Sequence, residues 1–349
     1  MDRRQFLSAS GVLVASAAAG LATGSLPARA AARELRVLTW EGYADKPWVD
    51  EFQKANNVAV KVTYIASVDE IFAKMLATKG SDYDVIAVET SSYKRLVQQQ
   101  LLKPLNLAAL PNRSNLSPVF SNVKSIVFGG QTYAAPFAWG SIPLIYDRKA
   151  FPSAPTSWSV LWDKKYAGRM IAMDDATNLI VTTALYLKVK DPFNMNASEF
   201  AAVKAKLLEQ KKYMLTYYGG FDDGVSIMSQ GGVDLMMSMG EPQVQMLRKR
   251  GVNAALVIPK EGAIGWIDCW AVSAGARDLG LAHAWLNFML DKRVGRYISE
   301  KTGYGNTTDA DASTKIGLTY ADKLVFLQAP EDQGKRIALW NEIKATPVG

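Results

Sequence analysis

Between residues 35 and 100, short apolar runs alternate with segments whose apolar positions recur at helical spacing. The apolar runs predict strands, and the segments between them predict helices. Strands that alternate with helices of about ten residues form βαβ units, which build a doubly wound parallel sheet. The predicted strands are 35–40, 58–64 and 84–88, and the predicted helices are 46–55, 68–77 and 93–100.

A second αβ pattern follows a segment, 132–146, that is β-rich and interrupted by proline and glycine. It begins near Ser157-Trp158 and contains extended and helical segments in mixed order. At 349 residues, the chain is longer than one hydrophobic core usually serves. We therefore expect an α/β protein of two lobes, between which the chain passes more than once. The predicted helices here are 204–211, one after Pro242, 280–290 and 294–300, and the predicted extended segments are 234–239 and 257–270.

The first thirty residues have the pattern of an export signal. Arg3-Arg4-Gln5-Phe6-Leu7 is followed by an apolar run from Gly11 to Gly24 and by Ala28-Arg29-Ala30, an A-x-A cleavage site. The run is too short to span a bilayer of about 30 Å. The Arg-Arg-x-Phe-Leu block resembles a twin-arginine signal, which is the favoured interpretation, and a general secretory signal that carries two arginines is the alternative. We expect cleavage near Ala30 and a periplasmic protein.

Composition narrows the function further. Cleavage at Ala30 leaves 37 basic against 32 acidic residues, with no basic stripe, so no nucleic-acid partner is expected. One cysteine, Cys269, excludes an internal disulfide, and one histidine, His283, removes most histidine-dependent catalysis. Neither G-x-G-x-x-G after the first strand nor G-x-x-x-x-G-K-[ST] is present, which disfavours nucleotide binding. No cofactor and no catalysis are expected.

Aromatic and acidic residues follow several predicted strands. In open α/β sheets, ligands bind outside the carboxyl ends of the strands, so these residues are candidates for one cleft. Tryptophan and tyrosine faces attract cationic groups, and carboxylates bind ammonium groups, so together they form a box for a cation. Asp174 or Asp175 is also expected to cap a helix. The segments are Trp40-Glu41-Gly42-Tyr43, Asp174-Asp175-Ala176-Thr177-Asn178, Gly240-Glu241 and Trp266-Ile267-Asp268.

Other candidates for chemistry are weaker. Tyr217-Tyr218 is similar to the paired tyrosines of ferric-ion-binding proteins, but only adjacency supports iron, and packing in the core or a strand is the favoured interpretation. Asp222-Asp223 lacks the spacing of an EF-hand and is expected to be a solvated turn. An exported hydrolase would need His283 in a polar pocket beside a serine, without a G-x-S-x-G elbow nearby.

At the level of whole motifs, the sequence resembles the spermidine/putrescine-binding proteins of polyamine ABC importers. The resemblance implies a type II periplasmic binding protein, with two αβ lobes, a hinge of crossover strands and a central ligand cleft. It implies lobe 1 at 31–136 plus 267–312 and lobe 2 at 137–266 plus 313–349, with crossovers near 136–141, 265–268 and 304–312. The motifs are Trp40–Tyr43, Tyr83–Val88, Pro136–Gly140, Ser157-Trp158, Leu161-Trp162, Tyr166–Gly168, Pro259–Gly262, Trp266–Asp268 and Leu286–Leu290.

Residue by residue, the resemblance implies an aromatic box with acids that bind the amines. The box consists of Trp40 and Tyr43 on one lobe and Trp266 on the other, with Asp268 as the acid after that tryptophan. Further positions that match family ligand residues are Asp175, Glu241, Tyr304, Thr90 and Ser92.

Several positions depart from the family's pattern. Asn178 replaces a glutamate that contacts an amine, Ser238 replaces a tryptophan, and Ser92 replaces an aromatic residue. Loss of a charged hydrogen bond costs about 1.5–3 kcal/mol, or about ten- to a hundredfold in affinity. Glu41, where relatives often have a hydroxyl residue, is a candidate to restore the charge, and a solvated surface glutamate is the alternative.

The expected function is therefore capture of a small cationic amine and its delivery to an ABC permease by a monomeric binding protein. A zwitterion such as a γ-amino acid remains an alternative, with Asn178 or Arg95 binding its carboxylate. Ferric-ion binding through Tyr217 and Tyr218 is a further alternative within the same fold.

Overall fold

Strand β1, which the apolar run at 35–40 predicts, lies inside the larger of two mixed sheets. The computed structural model describes residues 33–65, 67–330 and 332–347, and Arg33–Gly349 forms one compact unit. The predicted export signal at 1–30 lies outside the described residues. The strands are β1 (Glu34–Trp40), β2 (Ala59–Ile65), β3 (Val85–Glu89), β4 (Leu102–Lys103), β5 (Val127–Phe128), β6 (Gln131–Thr132), β7 (Ala134–Ile142), β8 (Leu144–Asp147), β9 (Met170–Met173), β10 (Met214–Tyr218), β11 (Leu235–Met237), β12 (Ala254–Val257), β13 (Ala263–Ser273), β14 (Gly305–Asn306) and β15 (Leu324–Phe326).

Helices cover both sheets, and local signals explain several helix ends. Pro47 stands in the first turn of α1, Ser67 caps α2 by accepting a hydrogen bond from the backbone of Glu70, and Asn196 and Glu199 form a capping box at α5. The helices are α1 (Lys46–Asn56), α2 (Val68–Ala77), α3 (Tyr93–Gln98), α4 (Ala176–Tyr186), α5 (Ala197–Lys211), α6 (Phe221–Ser229), α7 (Pro242–Lys249), α8 (Leu279–Met289), α9 (Lys292–Thr302), α10 (Ala310–Lys315) and α11 (Gln333–Ala345). Among the described residues, no helix has the length and apolar character needed to cross a bilayer.

The larger sheet has the order β14-β7-β13-β3-β1-β2, and β4 and β15 also pair with β13. Strands β2, β1 and β3 run parallel, as the βαβ pattern predicts, whereas β13 runs antiparallel to both β3 and β7. The smaller sheet has the order β10-β9-β11-β8-β12. Each sheet has its own buried core, so the predicted α/β architecture of two layered halves is present.

Three long segments differ from the sequence prediction in detail. Pro143, which has no backbone N–H, separates β7 from β8, so the extended segment at 132–146 contains two strands that enter different sheets. The turn after Pro259 likewise separates β12 from β13. The expected crossover strand at 304–312 is wrong in its second half, since Asp309 caps a helix that begins at Ala310. The lobe boundaries proposed above stay a prediction.

Candidate functional site

A cavity of about 430 Å³ lies at the ends of the central strands of the larger sheet. Strand β1 ends at Trp40, and the turn after it carries Glu41 and Tyr43 into the cavity. Strand β13 contributes Trp266 and Asp268, and the end of α9 leads to Tyr304, because Gly303 adopts the left-handed conformation (φ 74°) that ends this helix. The remaining lining residues are Ile65, Glu89, Phe221, Met239 and Gly240.

The aromatic rings of this cavity are held by close packing. Trp266 meets Tyr304 edge to face, with 4.8 Å between the ring centroids. On its other side Trp266 covers Gly140 of β7, where an added Cβ would lie 2.3 Å from the indole ring. Trp40 is partly buried, and its indole Nε1 has no hydrogen-bond partner among the described residues. These rings offer π faces and edges to a bound group rather than hydrogen bonds to one another.

Asp268 is the central acid of the cavity. Its side chain is 7% exposed, and the Tyr43 hydroxyl donates a hydrogen bond to its Oδ2 at 2.5 Å. Burial raises the pKa of Asp268 to about 7, the hydrogen bond from Tyr43 lowers it, and the nearby Glu89 raises it. Burial likewise raises the pKa of Tyr43, so this hydroxyl stays a donor. Ionisation of Asp268 at neutral pH is therefore costly until a cation lies beside it.

Glu89 is a site residue that the sequence analysis missed. It is the last residue of β3, and in the antiparallel pairing of β3 with β13 it is the direct partner of Asp268. The sequence offered a signal for it, because Glu89 is an acid at the carboxyl end of a buried parallel strand, and ligands of open α/β sheets bind at such ends. Burial raises the pKa of Glu89, and hydrogen bonds from Ser91 and Thr90 lower it.

A second, larger cavity of about 800 Å³ adjoins the first, and Glu89 lines both. The predicted residues Ser92, Asp175 and Asn178 line this larger cavity, and Ser92 Oγ and Asn178 Oδ1 are buried atoms without a hydrogen-bond partner among the described residues. Asp175 caps α4 as expected, since its Oδ1 accepts a hydrogen bond from the backbone N–H of Asn178 at 2.7 Å. Burial raises the pKa of Asp175.

Three predicted site residues line neither cavity. The buried Thr90 hydroxyl lies 2.7 Å from the carbonyl oxygen of Leu327, and the buried Ser238 hydroxyl donates to the carbonyl oxygen of Pro143 at 2.7 Å. Glu241 binds the crossover strand instead, because its Oε1 accepts hydrogen bonds from the Ser141 backbone and hydroxyl and from the Tyr320 hydroxyl. Glu241 Oε2 is buried without a hydrogen-bond partner among the described residues, and burial raises the pKa of the Glu241 carboxyl.

The residues considered for other chemistries are engaged elsewhere. The Tyr218 hydroxyl donates to the carbonyl oxygen of Met237, while Tyr217 packs edge to face on Trp340, so the two phenols do not converge. The described residues contain no cluster of three or more side chains suited to a metal ion. His283 accepts a hydrogen bond from the Asn106 backbone at Nε2, and its Nδ1 lies 2.7 Å from the carbonyl oxygen of Leu279. Both of its ring nitrogens are therefore occupied.

The side chains that line the smaller cavity favour a bound cation. The buried Asp268 and the partly buried Glu89 lie side by side among aromatic rings, and within the described chain neither forms an ion pair with a lysine or arginine. A cation entering there would replace water beside both acids and would contact aromatic faces at the same time. An α/β protein of two layered halves with such a cleft is of the solute-binding class.

Comparison with known proteins supports this class. The sequence profile of the bacterial extracellular solute-binding proteins matches residues 47–317. The chain belongs to this family. The predicted fold is confirmed by the spermidine/putrescine ABC transporter substrate-binding protein PotD from Streptococcus pneumoniae, which superimposes with a TM-score of 0.77 at 20% identity, over 90% of this chain and 99% of that one.

Curated relatives confirm the resemblance read from the motifs. The spermidine/putrescine-binding periplasmic protein 1 of Haemophilus influenzae is 26% identical over 269 residues, which are 76% of this chain and 73% of the relative. The putrescine-binding periplasmic protein PotF of Escherichia coli is 23% identical over 314 residues, 85% of this chain and 84% of the relative.

Proposed function

We propose that this protein is the polyamine-binding component of an ABC importer, exported to the periplasm. A linear cation with two or more ammonium groups would bind in the cleft, with one ammonium at Asp268 and the carbon chain against Trp40 and Trp266. The ligand would favour a closed state by contacting both halves of the protein, and the closed monomer would deliver it to a membrane permease. The role is binding, without a catalytic step.

One observation carries this proposal: Asp268 is a buried carboxylate hydrogen-bonded by Tyr43, between Trp40, Trp266 and Tyr304, in a cavity that a cation can enter. A carboxylate in such a place costs free energy unless a positive charge neutralises it. Two relatives are named as spermidine/putrescine-binding and putrescine-binding proteins, and these names support polyamines as the ligand class.

A zwitterionic amine is the second candidate, because the larger cavity has cationic as well as acidic residues. Arg95 and Asn178, the two residues proposed to bind a carboxylate, both line it. However, the Arg95 guanidinium lies over the Phe72 ring at 3.3 Å from its centroid and lies 3.8 Å from Asp69. The same cavity contains Asp175 and Glu89, so its acids favour the polyamine.

Thermal unfolding of the ligand-stripped protein with putrescine, cadaverine, spermidine and γ-aminobutyrate tests the proposal. A ligand at a hundred times its dissociation constant stabilises the folded state by about 2.7 kcal/mol, which raises Tm by several degrees. The proposal predicts this rise with a polyamine and none with γ-aminobutyrate. Stabilisation by γ-aminobutyrate alone would leave the assignment to the solute-binding proteins intact and would contradict a polyamine as the ligand.

The variant Asn178→Glu separates the two candidates at one residue. Asn178 Oδ1 is a buried atom at the larger cavity and has no hydrogen-bond partner in the described part of the chain, so a glutamate there adds a carboxylate where a second ammonium would lie. Polyamine binding should tighten in this variant, whereas a ligand carboxylate at this position would be repelled and binding would weaken. Asp322→Asn, a change of one charge outside both cavities, is the control.

A further inference from the structure

Glu89 occupies the junction of the two cavities. It lines both of them, whereas Asp268 lines the smaller one and Asp175 lines the larger one. Glu89 and Asp268 are direct cross-strand partners, and such partners project from the same face of a sheet. The cleft therefore has a row of acids, of which Asp268 is buried and Glu89 and Asp175 are partly buried, that runs from the smaller cavity to the larger one with Glu89 in the middle.

The hydrogen bonds of Glu89 leave acceptor capacity for a ligand. Its Oε1 accepts from the backbone N–H of Ser91 at 2.9 Å, and its Oε2 accepts from the Ser91 hydroxyl. The Thr90 hydroxyl lies 2.8 Å from Oε1 but also 2.7 Å from the carbonyl oxygen of Leu327, so its single proton is shared. An ionised carboxylate has about four acceptor positions, and at least one remains.

Capping alone does not account for Glu89. An asparagine or serine caps a turn without placing a full charge in a partly buried position beside another acid. All partners of Glu89 are neutral, and burial raises its pKa. A positive charge from outside the described chain would neutralise Glu89, as it would neutralise Asp268.

We propose that Glu89 is a second ammonium-binding carboxylate of the cleft, which binds a different ammonium of the ligand from the one at Asp268. This proposal rests on the polyamine function proposed above and deepens it. Glu89 replaces the charge that the neutral Asn178 does not provide, so the ligand has at least two ammonium groups and extends from the smaller cavity toward the larger one. A monoamine would use Asp268 and leave Glu89 without a cation.

Titration of wild type and Glu89→Gln with putrescine and n-butylamine tests this assignment, since the two amines share a four-carbon chain and differ by one ammonium. Glutamine keeps an acceptor for the Ser91 backbone and removes the charge. Putrescine affinity should fall about ten- to a hundredfold, and n-butylamine affinity should change less than about threefold. Asp322→Asn, which removes one exposed negative charge outside both cavities, should leave both affinities unchanged.

Ser91→Ala distinguishes binding from capping, because it removes a donor to Glu89 and keeps the charge. Its putrescine affinity should stay within about threefold of wild type. A loss equal to that of Glu89→Gln, or an equal loss for both amines in Glu89→Gln, would overturn the assignment. Unchanged putrescine affinity in a folded Glu89→Gln would overturn it too. If wild type binds neither putrescine nor spermidine, the polyamine function itself fails.

Discussion

Replacement of Asp268 by asparagine should weaken ligand binding and stabilise the ligand-free protein. Asparagine keeps an oxygen that accepts the hydrogen bond from Tyr43 but removes the charge. Asp268 is almost fully buried beside Glu89, and its pKa is about 7. The ionised carboxylate is therefore costly in the empty cleft, and a bound ammonium offsets that cost.

The cost follows from the pKa. A rise from 3.8 to about 7 is about three units, so the ionised carboxylate destabilises the ligand-free protein by about 4 kcal/mol above pH 7. Because the folded pKa of Asp268 lies above the unfolded one, the contribution of Asp268 to stability is most favourable below about pH 4 and becomes less favourable as the pH rises to about 7. Between pH 5 and pH 8, the stabilisation by Asp268→Asn should grow by about 3 kcal/mol.

Binding should respond in the opposite direction. Loss of a charged hydrogen bond costs about 1.5–3 kcal/mol, so spermidine affinity at pH 8 should fall about ten- to a hundredfold. In wild type, spermidine affinity should decrease as the pH falls below 7, because a proton on Asp268 competes with the ammonium group. The titratable groups that face Asp268 are Glu89, Tyr43 and Tyr304. This part of the pH dependence should disappear in the variant.

Guanidinium unfolding at pH 5 and pH 8 measures the stability, and calorimetric titration at pH 6, 7 and 8 measures the affinity. Asp322→Asn provides the control for a change in net charge. An equally pH-dependent stability in Asp268→Asn, or spermidine binding as tight as that of wild type at pH 8, would contradict this role of Asp268.

Three further substitutions test other parts of the site. Tyr43→Phe removes the hydrogen-bond donor to Asp268, so the pKa of Asp268 should rise and polyamine affinity at pH 7 should fall about tenfold. Calorimetric titration at several pH values measures both effects, and an unshifted pH profile would contradict the role of this hydrogen bond. Gly140→Ala places a Cβ 2.3 Å from the Trp266 ring, so calorimetry should show weaker polyamine binding, whereas Gly334→Ala, with open space around it, should bind normally. Glu241→Ala leaves Ser141 and Tyr320 without their acceptor and should lower the free energy of unfolding by about 1–3 kcal/mol. Glu241→Gln keeps an acceptor oxygen and should lower it less, and equal losses in the two variants would contradict a stabilising role for these hydrogen bonds.

The ends of regular elements could be predicted because the local pattern decides them. The apolar runs located β1 and β3, and the rule for carboxyl ends of strands correctly placed Trp40 and Tyr43 at the cavity. Trp266 and Asp268 also line the cavity, but they lie inside the antiparallel strand β13 and do not follow its end. Tyr304 joined them through the resemblance to the polyamine-binding family. These positions depend on chain direction and strand order, which the βαβ pattern largely determines.

The direction of individual side chains could not be predicted in the same way. Ser238 and Glu241 follow the observed strand β11, but their side chains turn toward Pro143 and Ser141. The antiparallel neighbour β8 and the crossover strand β7 lie on that side. Thr90 turns toward Leu327, which is distant in sequence. Such long-range partners are set by tertiary packing. Glu89 was missed although it directly follows the predicted strand 84–88, where the rule for carboxyl ends of strands applies.

The most direct test of the polyamine function is calorimetric titration of the ligand-stripped protein at low salt with spermidine and putrescine, with γ-aminobutyrate in parallel. The proposed site predicts micromolar or tighter binding of at least one of the polyamines, binding that weakens as the pH falls below 7, and no heat of binding with γ-aminobutyrate. Absence of binding by both polyamines, with a saturable response to γ-aminobutyrate, would contradict the assignment of the cleft to cations.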